Sequence, residues 1–406
     1  MSKLEELLNE LCPKGVPKTS IADICNISRG RVMSKDYIKE NLGQYPVYSS
    51  QTENDGRLGL INSFDYDGEY LTWTTDGANA GTVFYRTGKF SITNVCGLLK
   101  VTNEQVLTKY LYYTLSVEAP SYVSSGMGNP KLMSNVMGRI KVAIPPLPVQ
   151  SEIVRILDNF TELTAELTAE LTARKKQYDY YRMKLLTFGN EIQHFSLREV
   201  ADFRNGKGHE KDISTDGKYV VVNSKFISTN GEVRKYTNNQ ICPLYIDDIL
   251  MVMSDLPNGR ALAKCFLVDE NDKYSLNQRI GAFHVKEKVV TTRFLFYVLN
   301  RNPQLLRFDN GVDQTNLKKD DILNISIPVP PMDVQNRLVY VLDNFDAICS
   351  DLNIGLPAEI EARKKQYEFY RDALLTFAET GSIIAQTDRQ TDRQTDRQTD
   401  RQTSII

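Results

Sequence analysis

Two stretches of the chain repeat apolar side chains at steps of three and four residues, the spacing of one helix face, with one step of seven across residues 174–176 in the first stretch. The spacing averages close to the 3.5-residue period of coiled coils, so the pattern predicts two long helices, the first of roughly 60 Å. The sequence Gly355-Leu356-Pro357 interrupts the second stretch, and we expect a break there with Pro357 opening a new segment. The first seam comprises Val149, Ile153, Ile156, Phe160, Leu163, Leu167, Leu171, Tyr178, Tyr181, Leu185 and Phe188, and the second Leu338, Val341, Phe345, Ile348, Leu352, Tyr367, Tyr370 and Leu374.

The two helical stretches have nearly the same sequence. Residues 173–188 are ARKKQYDYYRMKLLTF and residues 362–377 are ARKKQYEFYRDALLTF, identical at twelve of sixteen positions. Upstream, IPPLPVQSEIVRILDNF (144–160) matches VPPMDVQNRLVYVLDNF (329–345). The chain is therefore two copies of one module, each with a variable domain, a proline-rich joint and a helix.

The variable regions contain short β-branched and aromatic runs that predict strands, at 81–88, 218–227 and 248–254. Two apolar stripes in one chain are most simply buried against each other, which makes the helices antiparallel. We expect an α/β protein with two globular domains joined by two long, antiparallel, coiled-coil-like helices related by a pseudo-twofold axis. The predicted boundaries are 1–146 and 190–331 for the domains, 147–189 and 332–378 for the helices, and 379–406 for a tail.

Two tetrapeptide repeats stand out. TELTAELTAELTA (161–173) repeats TAEL within the first helix, and its leucines fall on the apolar seam. One unit lengthens a helix by ~6 Å and rotates it by ~40°, which suits resetting a spacing by about one base pair of ~3.4 Å rise. The tail has four copies of QTDR, which the tetranucleotide CAGA would encode out of phase with codons. We hypothesise a phase-variable C-terminus, polar and disordered.

Charge and composition narrow the function classes. The chain has 49 basic and 51 acidic residues, a balance that argues against a non-specific nucleic-acid binder but permits local basic loops. It has no apolar run long enough to span a bilayer, and its N-terminus does not resemble a signal peptide. The six scattered cysteines lack any CxxC spacing, so we expect reduced thiols and no metal site.

Motifs of catalysis are missing from the sequence. It has no Gly-rich cofactor loop after a strand, no Walker A motif and no methyltransferase signature, to which Asn129-Pro130-Lys131 bears only a superficial likeness. The three histidines, His194, His209 and His284, are isolated from one another. We therefore predict no catalytic residues in this chain.

The duplicated Pro-Pro-Leu/Met-x-x-Gln, Leu-Asp-Asn-Phe and ARKKQY–YR–LLTF motifs resemble the specificity (S) subunit of type I restriction–modification systems. The likeness extends to about residue 380. It implies that each variable domain recognises one half of a split, asymmetric DNA site, and that the helices fix the gap between the halves. The TAEL tandem is similar to the spacer-setting repeat of one group within that family.

The resemblance also implies partners. Two methyltransferase (M) subunits and two ATP-dependent restriction/translocase (R) subunits would bind the chain and carry adenine N6 methylation and cleavage. S-adenosylmethionine, ATP and Mg would be bound by those partners, with no cofactor on this chain. The protein would be cytoplasmic, in a bacterium or an archaeon, without a membrane partner.

Candidate DNA-contacting residues lie in turns rich in amide, hydroxyl and basic side chains, the types that bond base edges and phosphates. The equivalent loops around Gly126 and Gly311 are the leading pair, in which Asn129 aligns with Gln314. The candidates are Arg29, Arg31, Lys35, Thr74, Thr75, Asp76, Asn79, Ser125, Asn129, Lys131, Arg204, Lys207, Asn258, Arg260, Asn277, Gln278, Arg279, Gln314 and Asn316. The basic triplets 174–176 and 363–365 suit a solvated or subunit-facing surface better than contact with spacer phosphates.

Two alternatives remain open at this point. The chain could be an architectural scaffold whose domains bind protein without sequence-specific DNA binding. It could also be a self-sufficient enzyme, against the motif evidence. DNA binding with and without a methyltransferase partner separates the first alternative, and activity of the isolated chain would support the second.

Overall fold

A computed structural model describes residues 3–13, 15–124, 128–189, 191–209, 211–257, 259, 261–286, 289–350 and 354–380, the last four without their side chains. The chain divides into two compact units. Unit 1 consists of residues 1–168 together with 360–406, and unit 2 of residues 169–359. Each unit therefore combines a globular part with portions of the long helices.

The globular part of unit 1 mixes short helices with a large sheet. Its turn at Asn54 and Asp55 has both residues in the left-handed conformation, with φ of 50° and 57°. The elements are α1 (Lys3–Leu11), β1 (Lys18–Ser20), α2 (Ile21–Ile24), β2 (Cys25–Arg29), α3 (Lys35–Glu40), β3 (Leu42–Tyr48), β4 (Arg57–Ile61), β5 (Tyr66–Thr74), β6 (Val83–Ile92), β7 (Cys96–Val101), α4 (Thr108–Glu118), α5 (Ser134–Met137) and β8 (Lys141–Ala143).

Six strands of unit 1 form one sheet in the order β2-β7-β5-β6-β3-β4, and β1 pairs with β8 separately. The neighbours are antiparallel except β3 and β6, which run parallel. Successive side chains of a strand face opposite sides of the sheet, and in β5 the side chains on both sides are buried. Leu71 and Trp73 join the core beneath α2 and α4, whereas Tyr70 packs with Phe90 on the other face.

The first long helix, α6 (Leu147–Leu185), is continuous over 39 residues. It includes the whole TAEL tandem and the apolar seam from Val149 to Leu185, whereas Phe188 and the predicted end at residue 189 lie beyond the helix. In unit 1, Val149, Ile153 and Leu157 of α6 are buried against Leu4 and Leu8 of α1. The amphipathic start of the chain thus covers the beginning of the long helix.

The globular part of unit 2 follows a related plan with shorter strands. Its elements are β9 (His194–Ser196), α7 (Leu197–Val200), β10 (Ala201–Asn205), β11 (Ile213–Ser214), β12 (Tyr219–Val222), α8 (Ser224–Ser228), β13 (Tyr236–Thr237), β14 (Ile249–Val252), β15 (Ser254–Asp255), β16 (Cys265–Leu267), β17 (Tyr274–Leu276), β18 (Ile280–Val285), α9 (Thr292–Leu299), α10 (Pro303–Leu306), β19 (Thr315–Asn316), α11 (Lys319–Leu323) and β20 (Ser326–Pro328).

Unit 2 has two four-stranded sheets, in the orders β10-β18-β14-β16 and β11-β13-β12-β17. All pairs are antiparallel except β12 with β17. Strand β14 is buried on both faces, since Ile249 and Met251 belong to one core and Leu250 and Val252 to another. The predicted mixture of helix and sheet is present in both units, and the sheets are largely antiparallel.

The second long helical stretch forms two helices, α12 (Met332–Ser350) and α13 (Leu356–Thr380). The predicted break is confirmed, with Pro357 in the first turn of α13, where its missing N–H costs nothing. One strand prediction was half wrong. Residues 218–227 begin as β12 but continue as α8, because Asn223 caps that helix by accepting a hydrogen bond from the Phe226 amide at 2.9 Å.

Two further features concern the whole of the described chain. All six cysteines have free thiols, as expected, and burial raises the pKa of Cys25 and of Cys96 to about 12. Among the described residues, no helix combines the length and apolar character that crossing a membrane requires.

Candidate nucleic-acid interface

Each globular part is fastened to its long helix by a buried glutamine. Gln150, in the first turn of α6, is fully buried and makes three hydrogen bonds to backbone atoms. Its Oε1 accepts from the Leu107 amide at 2.8 Å, and its Nε2 donates to the carbonyls of Gln105 and Pro145, both at 2.7 Å. One side chain therefore ties the start of α6 to the backbone at residues 105–107 and at Pro145.

Gln335 makes the same three bonds in unit 2, where it lies in the first turn of α12. Its Oε1 accepts from the Thr291 amide at 2.8 Å, and its Nε2 donates to Val289 and Pro330 carbonyls at 2.8 and 2.9 Å. It is also fully buried. We call Gln150 and Gln335 the joint glutamines.

The aspartate of each Leu-Asp-Asn-Phe motif adds a second fastening. In unit 1, Asp158 accepts from Lys109 at 2.8 Å and from the Tyr113 hydroxyl at 2.6 Å. In unit 2, Asp343 pairs with Arg293 at 2.8 Å and accepts from Tyr297. The repeated motifs are thus the contacts by which each helix holds its globular part.

The loops of unit 1 converge where β5 ends. The Leu132 amide donates to the Thr75 carbonyl at 2.9 Å, and the buried indole of Trp73 donates to the Leu132 carbonyl at 2.9 Å. These bonds bring Lys131 beside Asp76, with 3.7 Å between the Lys131 Nζ and an Asp76 carboxylate oxygen. The two side chains are 50% and 31% exposed, so a charged pair faces outward at this point.

Neighbouring loops complete this polar surface. Asn79 is exposed and donates to the Thr52 hydroxyl at 3.1 Å, while Thr93 donates to Ser49 at 2.9 Å. The loops 49–57, 74–79, 93–95 and 128–131 therefore meet at one end of the sheet. We call them the loop cluster of unit 1.

Thr74 and Thr75 lie inside this cluster and do not face solvent. The Thr75 hydroxyl contacts the carbonyl of Val95 at 2.8 Å and a carboxylate oxygen of Asp76 at 2.5 Å. The Thr74 hydroxyl binds the Asn79 carbonyl. Both threonines hold the cluster together and, enclosed as they are, cannot themselves meet a base edge.

Arg29 is the last residue of β2, Arg31 and Lys35 come after that strand, and all three side chains are exposed. Arg31 forms an ion pair with Asp65 at 3.0 Å and lies 3.3 Å from the Tyr37 hydroxyl. Hydrogen bonding to Tyr37, together with the Asp65 carboxylate, raises the pKa of Arg31. The guanidinium of Arg29 lies 3.3–3.4 Å from Met133 and Ser134, and therefore borders the segment that follows Lys131.

Unit 2 has a neutral network at the same place in its fold. The Leu317 amide donates to the Met253 carbonyl at 2.8 Å, just as Leu132 donates to Thr75, and Ser254 pairs with Asn316 across β15 and β19. The Ser254 hydroxyl donates to Asn316 Oδ1 at 2.6 Å and accepts from Gln314 Nε2 at 2.8 Å. Gln314 and Asn316 are both exposed.

A second group of candidates lies at the ends of β10 and β17. Lys207 bridges to Asn277, and the Gln278 amide donates to the Lys207 carbonyl at 3.0 Å. Gln278 and Arg279 are exposed, and Arg279 has a positive φ of 72°. The side chain of Asn277 is half-buried, and its Oδ1 accepts from the neighbouring Gln278 amide at 2.8 Å.

Two structural residues fix this second group. His209 is fully buried between the Lys207 carbonyl and the Ser275 hydroxyl, at 2.8 and 2.7 Å. Gly206 is required by close approach, because a Cβ there would lie 1.9 Å from the Asn277 carbonyl oxygen. Gly30 stands in the same position in unit 1, where a Cβ would lie 2.0 Å from the Ile92 carbonyl oxygen. The aligned Arg-Gly and Asn-Gly pairs are the signal in the sequence for both turns.

The remaining candidates divide into two groups. Arg204 is engaged by Asp248, whose side chain is 1% exposed, and donates to the Pro243 carbonyl at 3.2 Å, so its guanidinium has a structural task. Asn129 is exposed in the loop cluster of unit 1. Ser125, Asn258 and Arg260 lie outside the described residues.

The sequence did not single out the joint glutamines, the motif aspartates or the supporting residues Ser49, Thr52 and Ser254. The glutamine and aspartate were visible as duplicated positions, but the repeat alone does not say what they bind. The basic triplets are mostly exposed, and Arg174 pairs with Glu170 at 3.4 Å. Among the residues that the structure describes, no cluster of three or more His, Cys, Asp or Glu side chains is arranged to hold a metal ion.

The chain matches known proteins along most of its length. The family described as type I restriction modification DNA specificity domain matches twice, over residues 13–174 and 190–362. A putative type I specificity subunit of Mycoplasma pneumoniae is 33% identical over 383 residues, which cover 89% of this chain and 98% of that protein.

Two solved structures share the fold. The S subunit of a type I restriction–modification system from M. genitalium has a TM-score of 0.50 at 15% identity, covering 93% of this chain and 99% of that one. A chain from a study of complex assembly and conformational transition of the type I R-M system has a TM-score of 0.54 at 13% identity, covering 90% and 98%. At these identities the likeness concerns the fold alone.

Proposed function

Because the chain belongs to the type I restriction–modification DNA specificity family, we propose that each of its two domains recognises one half of a bipartite, asymmetric DNA site. The chain is a sequence-recognition subunit, and catalysis lies in partner subunits rather than here. The alternative of an architectural scaffold without sequence-specific binding is not favoured by this family membership.

One observation supports the bipartite, asymmetric site above all others. The joints of the two units are equivalent bond for bond, whereas the outward polar groups differ, with a charged pair in unit 1 and a neutral amide network in unit 2. When two domains are attached in the same way but have different polar loops, they present different surfaces from equivalent positions. An asymmetric DNA site requires two such different surfaces.

The proposal includes the helices as the spacer between the half-sites, arranged as an antiparallel, coiled-coil-like pair with pseudo-twofold symmetry. Contacts inside each unit support this arrangement. Phe160 stacks on Tyr370 in unit 1 at 5.4 Å, and Tyr181 stacks on Phe345 in unit 2 at 6.2 Å. Each unit thus contains a contact between the first helix and the second helical stretch, as such a pair requires.

The TAEL tandem is the adjustable part of this spacer. It lies wholly within the uninterrupted α6, so adding or removing one unit preserves the seam. One unit rotates the helix by ~40°, close to the roughly 34–36° between successive base pairs of a duplex with 10–10.5 base pairs per turn. The rotation, more than the ~6 Å of length, favours a step of about one base pair.

Two M subunits and two R subunits are the proposed partners, with S-adenosylmethionine, ATP and Mg bound by them. The test is to reconstitute the chain with its M subunits and map methylated adenines on genomic DNA by single-molecule sequencing. We expect one bipartite motif with a fixed gap. Methylation spread evenly over all sequence contexts would refute the proposed function, and methylation by the isolated chain would revive the enzyme alternative.

A further inference from the structure

The end of β5 in unit 1 and the end of β14 in unit 2 are equivalent places with different chemistry. Asp76 and Lys131 face each other in unit 1, and Ser254 and Asn316 occupy the matching positions in unit 2, joined by Gln314. On the basis of the proposed function, we propose that these positions determine one base pair in each half-site, a G·C pair for unit 1 and an A·T pair for unit 2.

The hydrogen-bond network of unit 2 leaves one amide donor and one amide acceptor, on two different side chains, available to a ligand. Asn316 Oδ1 accepts from the Ser254 hydroxyl at 2.6 Å, and Gln314 Nε2 donates to Ser254 at 2.8 Å and lies 3.4 Å from Asn316 Oδ1. Within the described part of the chain, Asn316 Nδ2 and Gln314 Oε1 have no partner. One donor and one acceptor thus remain on two exposed, mutually braced side chains.

Adenine matches that pair of groups. In the major groove it presents the N7 acceptor and the N6 donor, which an amide engages with one donor and one acceptor. Here Asn316 Nδ2 would donate to N7 and Gln314 Oε1 would accept from N6. Bracing by Ser254 fixes both amides before DNA arrives, which lowers the entropy lost on binding.

The charged pair of unit 1 matches a G·C pair instead. Guanine presents the O6 and N7 acceptors, which suit the Lys131 ammonium, and the paired cytosine presents the N4 donor, which suits the Asp76 carboxylate. The two charged groups lie 3.7 Å apart and are 50% and 31% exposed. An A·T pair would set the adenine N6 donor against the ammonium, so this pair selects against it.

The experiment uses the full chain in complex with its M subunits and compares methylomes. The variant Asp76→Ser with Lys131→Asn gives unit 1 the side-chain types of unit 2. We expect discrimination at a single base pair of the first half-site to fall about tenfold to a hundredfold, or to switch towards A·T, with the second half-site unchanged. The reciprocal variant, Ser254→Asp with Asn316→Lys, should alter only the second half-site.

A matched control has the same substitutions elsewhere on unit 1, Asp67→Ser with Lys141→Asn. Both residues are exposed, Asp67 near the start of the strand that leads to Asp76. The single tryptophan checks folding, because Trp73 is buried and bonds Leu132, next to Lys131. Its fluorescence should be equal in the wild type, the variant and the control.

The outcomes separate this inference from the proposed function. An unchanged first half-site in a variant with native tryptophan fluorescence overturns the inference and leaves the proposed function standing. Uniformly weaker methylation at unaltered motifs, with a smaller salt dependence, makes Lys131 a phosphate contact and also overturns it. Methylation by the wild-type complex without any bipartite motif refutes the proposed function itself.

Discussion

The joint glutamine of unit 1 permits a quantitative test of how the domain is held to its helix. Gln150→Ala removes three hydrogen bonds and leaves the Leu107 amide and the carbonyls of Gln105 and Pro145 without their partner. A typical hydrogen bond contributes about 0.5–1.5 kcal/mol net, and an unsatisfied buried group costs about 1–3 kcal/mol. We expect the local free energy of opening to fall by about 3 kcal/mol.

Hydrogen exchange at the Leu107 amide measures this loss directly. A decrease of about 3 kcal/mol corresponds to about a hundredfold faster exchange when opening is at equilibrium. The Thr291 amide serves as the internal control, because it bonds Gln335 in unit 2 at 2.8 Å. It should be unaffected by Gln150→Ala and should respond to Gln335→Ala instead.

Two more variants separate hydrogen bonding from packing. Gln150→Leu keeps most of the volume but loses the bonds, so it should exchange nearly as fast as the alanine variant. Gln366→Ala, an exposed position on α13, should change stability by less than about 0.5 kcal/mol. Unchanged protection of Leu107 in both Gln150 variants would refute the claim that this side chain fastens the joint.

The remaining predictions concern the spacer, one turn and the tail. Deleting Ala165–Thr168 should move the preferred half-site gap by about one base pair with both half-sites intact, and methylome sequencing would contradict the spacer model if the bases changed. Gly30→Ala should destabilise unit 1 by about 1–3 kcal/mol in urea unfolding, because the new Cβ meets the Ile92 carbonyl, whereas Gly128→Ala meets nothing within 4 Å and should be neutral. Sequencing the gene segment for residues 386–403 in many single colonies should show variable numbers of CAGA units, and a fixed length or synonymous interruptions would exclude phase variation.

The long helices were predictable because apolar residues recur with the period of a helix over many turns, a pattern that strands and loops do not have. The break before α13 was predictable because Pro357 cannot continue a helix at its own amide. The strand β14 was recognisable from an apolar run of strand length bounded by turns. By contrast, the prediction of one strand over residues 218–227 was half wrong, because the β-branched run ends at Asn223, which caps a short helix.

The candidate interface was predictable only in part, for a physical reason. The alignment of Asn129 with Gln314 brought out the two equivalent loops, and the structure does place both loops beside a strand end. For other candidates the sequence did not reveal whether the side chain is exposed. Thr74 and Thr75 have side chains of a type that can bond DNA, but neighbouring loops enclose them. Arg204 likewise has the right charge, but Asp248 engages it. Partner side chains distant in sequence set these outcomes, and a single sequence does not reveal them.

The joint glutamines have a consequence for how such chains could change over generations. The hydrogen bonds of the Gln150 side chain are all made to backbone atoms, two carbonyls and one amide. They therefore do not depend on which side chains the domain has at those positions. Asp158 needs only two side chains from the domain, a cation such as Lys109 and the hydroxyl of Tyr113. A foreign domain with that backbone path would dock without any compensating mutation in the helices. Recombination within the two repeated joints could then replace one specificity in a single event while the other half of the protein stays as it was.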